Sequence, residues 1–358
     1  MIFDLTSGHV KTAASPPVGI DVSAVTAWLA DHLAELQPPL TFARIGEGQS
    51  NLTYRVLDSE RRIVVLRRPP TGTILPSAHD MAREYRILTG LAAAEMPVPR
   101  PLALCEDASV TGAVFYAMEH VDGLVLNTVE VAEQLAPAAR REVGMSMMQA
   151  LARLQSTDLE ATGLSELRRP GTYAGRQLRR WRRQWDSSRT RERPLVDRLA
   201  DRLEAHLPEE TEATVVHGDF HPLNTIVGPE GTVRAVVDWE LCTVGDPLGD
   251  LGLTIAYWNE LGRPAASDRR LFREAITDLP GFPDIAALVA EYERASGRDL
   301  SYLPFWVSFA YWKIAIIAEG VYRRWLDNPA LGSDPEHLGA AVDRLVTLAD
   351  QAAEEAGI

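Results

Sequence analysis

Val215-Val216-His217-Gly218-Asp219-Phe220-His221-Pro222-Leu223-Asn224, closed by Val236-Val237-Asp238-Trp239-Glu240, is the most informative segment of the chain. It sets an aspartate five residues ahead of an asparagine, and a second aspartate fourteen residues further on, at the end of an apolar run. Those three side chains suit phosphoryl transfer from a nucleotide: one carboxylate to orient and deprotonate a hydroxyl, two oxygen ligands to hold magnesium on the phosphates. Asp219 is the expected base, Asn224 the carbonyl ligand, and Asp238 the carboxylate that bridges metal and phosphates. His217 reads as a brace for the loop, because the carboxylate is better placed for the proton. His221 has two readings, a contact to the γ-phosphate or a hydrogen bond that shapes the loop.

Upstream of this stretch the chain is rich in strand formers. Leu40 to Ile45, Leu52 to Leu57 and Arg62 to Arg67 read as antiparallel strands separated by turn residues. Gly46-Glu47-Gly48-Gln49-Ser50-Asn51 lies between the first two, where glycines let a hairpin approach a phosphate with free backbone N–H groups. An ordinary tight hairpin would look the same. The segment is neither a Walker A loop nor a dinucleotide fingerprint, since no Gly-Lys-Ser/Thr follows and a strand comes next.

Ser77-Ala78-His79-Asp80 resembles a capping box opening a helix that runs to about Ala94. Met81, Glu84, Tyr85, Leu88 and Leu91 share one face of it, so Glu84 points inward and needs a cation. Arg67 is the expected partner; the alternative is that Arg67 and Arg68 are solvated strand-end charges. Pro97, Pro99 and Pro101 interrupt the pattern, and Val114 to Met118 reads as a further strand.

From about Glu130 the pattern is mainly helical, with helices expected near 130–155, 173–206, 250–262, 267–278, 284–296, 301–326 and 335–355. Two short strands, Asn224 to Val227 and Val233 to Val237, flank a turn within the catalytic stretch. A short helix over 21–36 precedes everything. The expected class is α+β and bilobal: an extension with a short helix (1–39), an antiparallel-sheet N-lobe with one key helix (40–119), and a helical C-lobe (120–358) carrying the catalytic loop 215–240.

The residues quoted so far resemble the signature of the aminoglycoside phosphotransferase family, kin to choline kinases and protein kinases, over about Leu40 to Trp325. The resemblance implies a protein-kinase-like fold, ATP between the lobes, Mg²⁺, and γ-phosphoryl transfer to a small-molecule hydroxyl. It assigns Asp219 as base, Asn224 and Asp238 as magnesium ligands, Glu84 as the helix glutamate, and Met118, Glu119, His120 and Val121 as the segment that holds adenine. Gly245-Asp246-Pro247-Leu248-Gly249-Asp250-Leu251 matches a run that generally braces the catalytic loop; Asp246 and Asp250 read first as caps of the following helix. The family usually places lysine on the third strand, where this chain has Arg67. Arginine keeps the charge and can fork between phosphate and Glu84, but its geometry differs from that of an ammonium. The Val-Leu-Arg-Arg-Pro-Pro and Arg-Glu-Tyr segments look like a subgroup that includes the kinase-like module fused to some acyl-CoA dehydrogenases.

Composition narrows the acceptor. The 358 residues carry a net charge of −14, which disfavours nucleic acid as a partner, and no stretch reads as a signal peptide or membrane span. Cys105 and Cys242 are the two cysteines, which suits a cytoplasmic location and argues against structural zinc. Only seven residues separate Asp238 from Asp246, too few for the activation segment on which protein kinases dock peptides. Arg168 to Arg198 holds eleven arginines against three carboxylates. Its apolar stripe of Leu178, Trp181 and Trp185 reads either as a packed helix with a solvated basic face, or as recognition of an anionic acceptor. An aromatic-rich segment, Tyr302 to Trp325, is expected to be mostly core with one or two rings lining an acceptor pocket. The favoured acceptor is a hydroxylated, anionic or partly apolar metabolite of hydroxyacyl type. An aminoglycoside or aminoalcohol is the alternative, and a nucleotide-binding pseudokinase is the alternative of another class, since arginine replaces lysine.

Overall fold

The structure, a computed structural model, describes residues 17–46, 51–71, 80–261, 275–328 and 336–358. Gly48, Gln49 and Ser50 of the expected phosphate turn, Ser77 to His79 of the expected capping box, and most of the helix expected near 267–278 lie outside the described residues.

Five strands, β1 (Thr41–Ile45), β2 (Leu52–Leu57), β3 (Ile63–Arg68), β4 (Pro101–Cys105) and β5 (Phe115–Glu119), form one antiparallel sheet in the order β1-β2-β3-β5-β4. β4 is an addition to the sequence reading. Its opening proline sits on an edge strand, where the missing N–H costs no ladder bond. The back of the sheet is covered by α1 (Val22–His32), whose Val25 and Leu29 are buried with Tyr54, Leu66 and Phe115. Trp28 meets Phe115 edge-on at 5.0 Å.

The front of the sheet receives α2 (Met81–Ala93), whose N-cap is Asp80, accepting from the Arg83 N–H. The first described turn of the helix therefore begins at the aspartate, three residues after the expected Ser77.

The C-lobe is helical, and Pro137 and Pro194 each open a helix. The segment expected as one helix over 130–155 is two, α3 (Val129–Glu133) and α4 (Pro137–Gln155). The arginine-rich segment is likewise split at Pro194 into α5 (Tyr173–Ser188) and α6 (Pro194–Ala205). Proline is tolerated in the first turn, where its missing N–H is an orphan anyway, and not in the interior. α7 (Leu248–Leu261), α8 (Ile285–Ser296), α9 (Leu303–Asp327) and α10 (Glu336–Glu355) complete the lobe. Phe305, Trp306, Phe309, Tyr311 and Trp312 of α9 are all buried, so its aromatic density is largely core.

Two small hairpin-like sheets rise from this helical base. β6 (Thr214–Val216) pairs with β9 (Thr243–Gly245), and β7 (Thr225–Val227) with β8 (Val233–Val236). The β6–β9 pairing uses up the short stretch after Asp238, leaving no activation segment between Asp238 and Asp246.

Candidate active site

The β7–β8 register explains the fourteen-residue spacing. Thr225 faces Val236, so Asn224 lies beside Val237, whose N–H donates to the Asn224 carbonyl at 3.0 Å, and Asp238 follows immediately. Asp238 leaves the strand with φ of 70°, a left-handed conformation that aspartate tolerates better than most residues. Asp219 sits in the loop between β6 and β7, its side chain one-fifth exposed and 3.3 Å from His221 Nε2. Asn224 Nδ2 donates to the Asp219 carbonyl (2.9 Å) and to Asp219 Oδ2 (3.1 Å).

The loop is held by groups that make no claim on the reactants. His217 is fully buried; its Nδ1 accepts from the Asp219 N–H at 3.2 Å, so the proton belongs on Nε2, which donates to the Val237 carbonyl at 3.0 Å. Burial pushes its pKa down to about 4, which keeps this neutral tautomer. Asp250 accepts from the His217 N–H (2.6 Å) and the Gly218 N–H (2.8 Å). It therefore ties the loop to α7 rather than capping that helix, which corrects the cap reading for Asp250. Asp246 keeps a cap-like bond from the Leu248 N–H at 2.9 Å. Burial raises both carboxyls to about 6.

Burial alone would also raise Asp219, but His221 and Lys313 outweigh it and hold that carboxyl well below the usual carboxylate range. His221 packs its ring on Tyr257 at 4.2 Å. Its Nε2 is engaged with the loop, while Nδ1 is buried without a partner among the described residues.

The N-lobe delivers a cation to the same place. Strand alternation turns Arg67 toward the cleft, and Arg68 to the opposite face, where it donates to the Pro69 and Thr111 carbonyls. Both are buried, at 2% and 4%, so neither is a solvated strand-end charge. Arg67 Nε donates to Glu84 Oε2 at 3.0 Å and Nη2 to Asp238 Oδ1 at 2.7 Å. Tyr116, opposite Arg67 in the β3–β5 register, donates its hydroxyl to Glu84 Oε2 at 3.3 Å. Burial lifts Glu84 above its ordinary range, and Arg67 opposes that rise.

Between the lobes lies a cleft of about 640 Å³, open to solvent. Arg67, Glu84, Met118, Glu119, His120, Val121 and Asp238 line it, with apolar walls from Ile45, Val65, Leu88, Val125 and Ile226. Gly46, next to Ile45, has φ of 74°, a value that favours glycine. Asn51 does not line the cleft: its Nδ2 donates to Glu240 Oε2 at 3.2 Å. The cleft thus joins the segment expected to hold adenine to Arg67 and Asp238.

Three residues that the sequence reading did not single out belong to this region. Arg83 reaches from α2 to the Glu240 carbonyl (3.3 Å) and the Cys242 carbonyl, Glu240 receives Asn51, and Lys313 of α9 donates to the Gly218 carbonyl at 2.7 Å. The scarcity of lysine was the one available signal for Lys313: the chain has only two. On α5, Arg180 lies over the Trp181 ring at 5.3 Å and makes no ion pair with a described carboxylate, whereas Arg182 pairs with Asp201 and Glu204.

The residues fit a magnesium ion. Asn224 Oδ1 is fully buried yet has no hydrogen-bond partner among the described residues, a costly state for a carbonyl unless a cation or donor completes it. Asp238 carries a carboxylate in the same cleft, with Oδ1 accepting from Arg67. Among the described residues no cluster of three histidine, cysteine or acidic side chains could hold a metal without such help. No described helix is long and apolar enough to cross a membrane.

Residues 41–299 match the phosphotransferase enzyme family. Over 318 residues the chain is 36% identical to mouse acyl-CoA dehydrogenase family member 10, covering 87% of this chain and 29% of that protein. It spans less than half the length of the curated relatives it matches. A solved structure from Ralstonia eutropha JMP134, provisionally described as an aminoglycoside phosphotransferase, is 33% identical with a TM-score of 0.76 and covers 94% of this chain and 98% of its own. The ethanolamine kinase of Plasmodium vivax shares the fold at 14% identity, with a TM-score of 0.60 over 90% of this chain and 85% of its own.

Proposed function

This chain belongs to the phosphotransferase enzyme family, a family of small-molecule kinases, and on that premise we propose that it moves the γ-phosphoryl group of ATP to the hydroxyl of a small acceptor. In this reading the adenine lies against Met118 to Val121, and Arg67 and the Gly46 turn face the phosphates. Asn224 and Asp238 would hold Mg²⁺, which would neutralise phosphate charge. Asp219 accepts a hydrogen bond from the acceptor hydroxyl and aims its oxygen at phosphorus. The ionised carboxylate orients the hydroxyl and takes its proton as the new bond to phosphorus forms. His221 steadies Asp219.

The observation that carries the reading is Asn224, whose Nδ2 is spent on Asp219 while its buried Oδ1 waits for a partner. The acceptor we favour is a hydroxylated anionic or partly apolar metabolite of hydroxyacyl type, supported by Arg180 beside Trp181 near the catalytic loop. Asp219→Asn should lower turnover by about a thousandfold or more while nucleotide affinity stays within about threefold. The measurement is transfer of labelled phosphate into a metabolite extract, with an aminoglycoside as a separate acceptor. Wild-type turnover in the variant would remove Asp219 from its role.

One observation favours a second reading, a nucleotide-binding regulator without transfer: Arg67 sits on Asp238, a proposed metal ligand. Magnesium-dependent ATP binding with no transfer and no slow hydrolysis would select it.

A further inference from the structure

Lys313 is a buried ammonium that the reaction as described does not use. It is 6% exposed, in the middle of α9, and donates to the carbonyl of Gly218, 95 residues earlier in the chain. A buried charge is costly unless it is repaid, and a neutral side chain would fill this space without that cost.

The repayment is local to Asp219. The peptide unit joining Gly218 to Asp219 is held at both poles: its carbonyl accepts from Lys313 Nζ at 2.7 Å, and its N–H donates to His217 Nδ1 at 3.2 Å. That unit is attached directly to the Asp219 Cα, so any rotation of its plane swings the carboxylate. Asp250 holds the preceding N–H at 2.8 Å, and Asn224 holds the Asp219 carbonyl at 2.9 Å. Lys313 is the one member of this set that comes from α9 and the one that carries positive charge. Its charge acts on Asp219 and Asp250, and Trp181 offers its ring face at 5.4 Å. A small pocket, lined by Gln177, Gly218, Asp250, Trp306 and Phe309, has Lys313 in its wall.

We propose that Lys313 is a positioning residue for phosphoryl transfer: it locks the Gly218–Asp219 peptide plane from the C-lobe side and sets the direction in which Asp219 presents its carboxylate. The inference rests on Asp219 being the group that orients the acceptor. A misplacement of about an ångström at such a group costs on the order of a hundredfold in rate.

The test pairs Lys313→Met, which keeps the bulk, with Lys313→Ala, which joins the ammonium's space to the neighbouring pocket. Expected for both is a fall in kcat of about ten- to a hundredfold with nucleotide Kd within about twofold; the thermal midpoint falls in both, and further in the alanine variant, which also loses packing. Added ethylammonium should restore part of the activity of the alanine variant and none of the methionine variant, a response a merely structural lysine would not give. Wild-type kcat in Lys313→Met, or equal losses of kcat and nucleotide affinity with no amine rescue, overturns the proposal. Crystal structures of the wild type and Lys313→Met give a readout independent of turnover. A rotated Gly218–Asp219 plane supports the proposal, and superimposable loops overturn it. Asp219→Asn separates the two ideas: if that variant is fully active, the assignment of Asp219 falls, whatever Lys313 does.

Discussion

Arg67 shows how one residue can be legible in identity and illegible in geometry. Its charge and its place at the end of β3 predict a partnership with Glu84, and the ion pair at 3.0 Å is there. The second arm, to Asp238 at 2.7 Å, joins residues 171 apart and uses the fork that an ammonium lacks. Arg67→Met should strand Glu84 and Asp238 in a buried site and cost about 3–5 kcal/mol of stability, measured by denaturant unfolding. Arg67→Lys should cost less stability yet raise the nucleotide KM, because one point charge cannot serve both carboxylates. His217 gives a pH prediction at the same scale. Its pKa is about 6.5 unfolded and about 4 folded, so the unfolded chain binds the extra proton between those values. The stability this group contributes is complete above pH 6.5 and is lost as pH falls towards 4, by roughly 3 kcal/mol. Wild type should therefore lose more stability than His217→Asn over that window, read from unfolding midpoints at matched pH.

Elements were readable where periodicity and proline agreed. Strands β1 to β3 and helix α9 fall within a residue or two of expectation, since alternation and helical spacing report directly on which face is buried. β4, β6 and β9 were missed because three-residue strands and a proline-flanked edge strand carry no such period. α5 and α6 share one helical periodicity, but Pro194 opens a new first turn and divides them. Within the catalytic loop, Gly218 is constrained twice: its φ is 83°, and a Cβ there would meet the Leu241 carbonyl oxygen at 2.8 Å. Gly218→Ala should displace Asp219 and lower kcat by on the order of a hundredfold while nucleotide Kd holds, a split that steady-state kinetics and calorimetry resolve. On α5, Arg180→Glu should raise the KM for an anionic acceptor by about tenfold and lower it for a polycation, which distinguishes the two acceptor classes.

Across the whole molecule, side chains of the N-lobe reach the C-lobe beside a backbone bond from the Val236 N–H to the Pro97 carbonyl at 2.7 Å. Arg67 to Asp238, Asn51 to Glu240 and Arg83 to the carbonyls of Glu240 and Cys242 all converge on the segment just after β8. Truncating Arg83 to alanine should loosen that closure and raise the nucleotide KM by several-fold with little effect on the helical core, measured by nucleotide titration and circular dichroism.

The family and the local scaffold of the candidate site can be read from the linear chain alone. The five- and fourteen-residue intervals from Asp219 to Asn224 to Asp238 encode a loop and a hairpin, because such short-range geometry follows from the strand register. The missing activation segment was visible as a count of residues. Only the tertiary structure decided which distant groups complete the site: Asp238 for the second arm of Arg67, Asp250 for the loop N–H groups, and Lys313 for the Gly218 carbonyl. These contacts depend on how whole elements pack, and packing is set by summed burial over many residues. No local pattern around residue 313 announces that its ammonium will come to rest against residue 218.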